Sequence, residues 1–167
     1  MSAVETLDAL YGFEQGGAEQ ARREFLTFRL GAETYGIDIL QVQEIREIEL
    51  VTRIPHVACF VRGVINLRGS IVPVVDLGLM FGFPQPLPLE KASTVVLNTD
   101  RRLVGLVVSA VCDVIGLTDA EILPPPELGA RSIAAAIKGI GARSGGGDRV
   151  LLLDVEHLMQ RVREERE

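Results

Sequence analysis

The sequence predicts an all-β protein with a few short helices, built as two small β-barrel lobes of about five strands each, packed around a shared apolar interface. Three observations carry that expectation. The chain repeats itself, its apolar residues alternate with period two over short runs, and Gly and Pro punctuate those runs at close spacing. The repeat comes first. LTFRLGAETYGIDILQVQEI aligns without gaps with VVLNTDRRLVGLVVSAVCDV, setting Gly36 against Gly105, Val42 against Val111, Glu44 against Asp113 and Ile45 against Val114. Downstream, VRGVI matches IKGIG, and IVPVVDLGLMF matches RVLLLDVEHLM after a two-residue insertion in a glycine-rich loop. The order is the same in both copies, so the chain reads as one unit over 24–160, with lobes at about 24–92 and 93–153 and a C-terminal helix at 154–163. Residues 1–23 read as an N-terminal tail.

Each element has a local reason. In TYGIDI, Tyr35, Ile37 and Ile39 share one face of a strand, and the Gly31–Glu33 segment supplies the turn before it. Asp76 ends the apolar strand IVPVV and caps a short helix, LGLMF, which Gly82 and Pro84 stop; Asp154 begins VEHLMQRV in the same way. Pro73 lacks a ladder donor, which predicts an edge or bulge position. The proline-rich FPQPLPLE separates the copies. Lobes of this size are each marginal alone, which is why a shared seam is expected.

Composition narrows the function. The net charge is −6, the sequence pI is about 5.0 and aromatic residues make up 5%, so there is neither a basic stripe for phosphates nor a stacking platform for bases. No nucleic-acid partner is expected. The first residues lack a charged n-region followed by an apolar core, and no apolar run approaches the ~18 residues that span a bilayer, so a cytoplasmic protein without membrane insertion is expected. Cys59 and Cys112 lie in apolar stretches without CxxC spacing and read as small buried hydrophobes.

The search for chemistry finds no active site. His56 and His157 have no Cys, His or acidic neighbour at a metal or triad spacing, so neither a catalytic residue, a metal site nor a cofactor is expected. GIGARSGGG precedes a strand where a phosphate loop needs a helix, and reads better as a long hairpin loop. A small-barrel enzyme using Asp38 or Glu44 as a base would need a pocket around that carboxylate. What stays unusual is FVRGVINLRGSIVPVVDL, which sets Arg62-Gly63 and Arg68-Gly69 inside a β-rich run. Arg68 is either an exposed turn cation of little consequence or an interface anchor, since arginine joins an apolar stem to a planar fork of donors.

VQEIREI, VTRIP, FVRGVINLRGSIVPVVDL and LVGLVVSAVCDVIGLTDAEILPPPE, in this order, resemble the chemotaxis coupling proteins of the CheW family, from about Glu24 to Met159. The resemblance implies two five-stranded SH3-like barrels and a non-enzymatic adaptor. It implies binding to the regulatory domain of a CheA-type histidine kinase and to the cytoplasmic tips of methyl-accepting chemoreceptors, at the inner face of the membrane. A monomer in isolation that forms rings with the kinase is expected. Partner contacts carry over to Arg68 of the NLRG stretch and to Val42, Glu44 and Ile45, with Arg62 and Asn66 in the same run; Val42 and Ile45 would equally suit a core. The chain departs from the family pattern at Gly78, where many relatives are basic, in the glycine-heavy ARSGGGDR loop, and over residues 1 to 23. A scaffold of a non-flagellar pathway, serving pilus motility or gene regulation, would carry the same residues.

Overall fold

The computed structural model describes residues 21–48, 50–100, 102–125, 133–143 and 146–164. The expected tail therefore lies outside the described residues up to residue 20. In the first copy, β1 (Arg23–Leu30) and β2 (Glu33–Asp38) form a hairpin, β3 (Val42–Arg46) follows a 3-10 turn, and β4 (Val61–Leu67) and β5 (Ser70–Asp76) form a second hairpin before helix α1 (Leu77–Met80). The second copy holds β6 (Ser93–Thr99), β7 (Arg102–Val108), β8 (Ala110–Leu117), β9 (Ile122–Leu123), β10 (Ile137–Gly141), β11 (Val150–Leu153) and helix α2 (Val155–Glu164).

The strands form two sheets, ordered β3-β6-β7-β5-β4 and β8-β1-β2-β11-β10-β9, and the two-residue β9 is the sixth strand of the larger one. The sheets do not part at 92/93, where the lobes were expected to meet. Each copy lends its first hairpin to the other's sheet: β3 pairs with β6 of the second copy, and β8 pairs with β1 of the first. Parallel pairing seals each exchange, Val74 opposite Gly105 and Leu152 opposite Gly36. This explains the aligned glycines. A Cβ on Gly36 would meet the Val150 and Leu152 side chains at 3.0 and 3.1 Å, and one on Gly105 the Thr94 methyl at 3.0 Å. Sequence similarity sees the copies but not which sheet a strand joins, because both sheets present the same alternating pattern.

The largest core is the seam between the sheets. Leu26, Phe28, Leu30 and Ile37 of one sheet and Val95, Leu97, Leu106 and Val108 of the other belong to one cluster. Helix α2 adds Val155, Leu158, Met159 and Val162, spaced so that one face of the helix is buried. Val96 and Val107 point the other way, into smaller clusters of their own sheet, so β6 and β7 are covered on both faces and read as nearly continuous apolar runs.

Two expectations need correction or refinement. Both cysteines are exposed. Cys112 is the unpaired residue of a bulge on a terminal strand of its sheet, and Cys59 lies in the turn before β4, so apolar neighbours in sequence do not cover either. Pro73 sits on a strand flanked on both sides, but β7 pairs only with Val74–Asp76. Opposite Pro73, Val64 spends its backbone N–H and C=O on Thr52, so the proline nitrogen faces away from β4, beyond the first β7 pair.

Candidate functional site: an arginine pair on a buried glutamate

The site grows from a bulge in β3. Val42 pairs with Leu97 and Glu44 with Val96, leaving Gln43 as the extra residue. One added residue reverses the alternation. Val42 and Ile45 therefore share the face of Leu97 and Val95 and pack on the seam, whereas Glu44 turns to the face of Val96, beside Leu67 and Val72 of the β4–β5 hairpin. Without the bulge Val42 and Glu44 would share one face.

Glu44 is buried, its side chain 8% exposed, and each of its oxygens takes a guanidinium. Arg68 Nη1 donates to Oε2 at 2.8 Å and Arg46 Nη1 to Oε1 at 3.2 Å. The Arg68 side chain remains 65% exposed and that of Arg46 43%, so both forks also face solvent. Arg68 and Gly69 form the two-residue loop of the hairpin with φ of +52° and +90°. Glycine and asparagine suit such a turn; an arginine there costs about 1–2 kcal/mol. Asn66 steadies the loop by accepting from Gly69 N–H at 2.9 Å.

The expected site residues divide into three groups. Arg68, Glu44 and Asn66 converge at the hairpin. Val42 is buried and Ile45 half-buried on the seam. Arg62 stands apart: as the bulged residue of β4 it turns inward, donating to Asp76 Oδ2 at 3.1 Å and to the Leu87 carbonyl at 2.8 Å. Asp76 is fully buried, caps α1 by accepting from Leu79 N–H at 3.0 Å and accepts from Leu87 N–H at 2.8 Å. Arg62 thus ties the proline-rich connector to the first copy. Sequence reading passed over Arg46, although its position two residues from Glu44 on one strand is the signal that would have found it.

Neither carboxylate considered as a base is set up for that work. Asp38 accepts from Leu40 N–H at 2.9 Å, and Glu44 is engaged by two guanidiniums. A cleft of about 550 Å³ beside the same hairpin is lined by Ile54, Ile71, Leu103, Met159 and Val162 among others, and neither Asp38 nor Glu44 reaches it. Among the described residues no His, Cys, Asp and Glu side chains gather as metal ligands would, and no helix is long and apolar enough to cross a membrane.

A sequence model of the CheW-like domain matches residues 24–163. The chain belongs to the CheW-like domain family. Its relatives include the chemotaxis protein CheW of Klebsiella aerogenes, 42% identical over 160 residues, an alignment covering 95% of this chain and 91% of that one. Protein FrzA of Myxococcus xanthus is 31% identical over 149 residues, covering 88% and 92%. Among solved structures, the scaffolding protein TtCheW of Thermoanaerobacter tengcongensis superposes with a TM-score of 0.71 at 30% identity, covering 80% of this CheW-like chain and 90% of its own. The two sheets are accordingly the two SH3-like lobes of a CheW fold.

Proposed function

We propose that this CheW-like chain is the adaptor that couples chemoreceptors to a CheA-type histidine kinase, and that the Arg68 hairpin is one of its partner contacts. The adaptor role follows from family membership; a partner's binding energy, and no bond-breaking step, is what the chain contributes. The observation that carries the contact is Arg68 itself. A solvent-facing guanidinium held over a buried carboxylate, on a backbone conformation that disfavours arginine, is a preorganised and strained feature that the fold alone does not require. The partners are the kinase regulatory domain and the cytoplasmic receptor tips, which would hold the protein at the inner face of the membrane within receptor arrays. A second reading keeps the fold and changes the pathway: the same adaptor chemistry would serve a non-flagellar sensory system.

The test is a pair of titrations of wild type and Arg68→Glu, one against the purified regulatory domain of the kinase and one against a receptor cytoplasmic fragment. Loss of about 2 kcal/mol, roughly 30-fold, is expected with at least one of the two. Unfolding stability should change by no more than about 1 kcal/mol, because Arg68 is mostly exposed. Unchanged affinity for both partners would return Arg68 to an ordinary turn residue.

A further inference from the structure

Resting on the reading of Arg68 as a partner contact, we infer that Arg46 is a positioning residue for it: Arg46 holds the charge of Glu44 so that Arg68 can turn to a carboxylate on the partner.

Glu44 is the constraint. Its side chain is 8% exposed, and a buried carboxylate stripped of its counter-ion is strongly unfavourable. If Arg68 were the sole cation on Glu44, a partner that drew the guanidinium away would strand that charge, and the penalty would come directly out of the binding energy. Two observations show how it is avoided. The two arginines use different oxygens of Glu44, so one can leave without displacing the other. They also arrive by different routes. Arg46 is tethered two residues away on β3 itself, whereas Arg68 comes from the tip of the β4–β5 hairpin. The more exposed of the two is the one at the tip, at 65% against 43%.

The cluster carries one negative and two positive groups, a net positive spot on a chain whose net charge is −6, and the group that matches a free guanidinium fork is a carboxylate. The second copy shows that the fold does not need the arrangement. Asp113 occupies the place of Glu44 and is exposed, its Oδ1 accepting from Val114 N–H at 2.7 Å, and Ile115 stands where the first copy has Arg46.

A mutant cycle tests this by titrating the kinase regulatory domain and the receptor fragment separately, which also tells which of them presents the carboxylate. Arg46→Gln should weaken binding about 10-fold in the wild-type background, and Arg46→Lys, which keeps the charge, should restore most of it. In a Glu44→Gln background there is no charge left to hold, so Arg46→Gln should change affinity by less than about 2-fold. Equal losses in both backgrounds would mean that Arg46 touches the partner directly, and no loss in either would mean that it does nothing; each overturns the inference. Arg68→Gln binding both partners like wild type is a different failure: it removes the contact itself, and the role of Arg46 with it.

Discussion

The two copies share their backbone devices and differ in what those devices carry. Both bulge at the third strand, at Gln43 and at Cys112, and again at the first strand of the second hairpin, β4 at Arg62 and β10 at Lys138. Both end the last strand on a capping aspartate, Asp76 and Asp154. In the first copy the bulges aim Glu44 and Arg62 inward, and the ion pairs found among the described residues all lie there. In the second, Asp113 and Lys138 face solvent and Asp154 is half-buried. Shared geometry with unshared charge separates what the fold needs from what one copy was given in addition.

That comparison breaks most visibly at paired glycines. Gly63 has φ +144°, and a Cβ there would lie 2.3 Å from the Thr52 carbonyl oxygen, whereas one on Gly139 would meet the Ile122 side chain at 3.0 Å and the Leu123 carbonyl oxygen at 3.3 Å. Urea unfolding should show Gly63→Ala losing about 5 kcal/mol and Gly139→Ala about 2, and equal losses would mean that the two bulges are the same environment after all. Next are the caps. Asp76→Ala leaves Arg62, 21% exposed, without its carboxylate and should cost about 3 kcal/mol; Asp154→Ala removes a helix cap at about 1 kcal/mol. Asp113→Ala, the counterpart of a change at Glu44, should move stability by no more than about 0.5 kcal/mol and leave partner binding as it was. The smallest difference is at Tyr35, whose equivalent is Val104. Burial, reinforced by the charge of Glu33, raises the phenol above its ordinary 10.0. Folding therefore favours the neutral phenol, and that contribution is complete below pH 10 and fades as pH rises through the folded value. Tyr35→Phe should flatten the alkaline limb of a stability–pH curve, and an unchanged limb would show that Tyr35 does not set it.

The duplication, the strand pattern and both capping aspartates were legible in the sequence because each is written in neighbouring residues. The exchange of hairpins was not, since pairing between Thr27 and Asp113 is a property of distant segments with interchangeable patterns. The same limit applied to the site. The turn chemistry of Arg68-Gly69 and the family resemblance pointed to Arg68, but only a bulge explains why Glu44, two residues from a core valine, faces an arginine in place of the seam. Arg62 looked like the twin of Arg68 in sequence, and its inward direction depends on a second bulge that alternation alone does not reveal. The cysteines misled for a related reason: local hydrophobicity reports the average surroundings of a segment, not the side on which one bulged residue falls.

The exchanged hairpins have a consequence for synthesis. Thr27 waits for a partner 86 positions further along the chain, which at about 5–20 residues per second means roughly 4–17 s between their emergence from the ribosome. β1 lacks β8 for all of that interval, and β3 lacks β6 from its own emergence until residues 93–99 follow, so apolar strand edges stand open on a nascent chain. The molecule is topologically a swapped dimer joined into one polypeptide, and its first half has no finished structure of its own to fold into until the second half has been made.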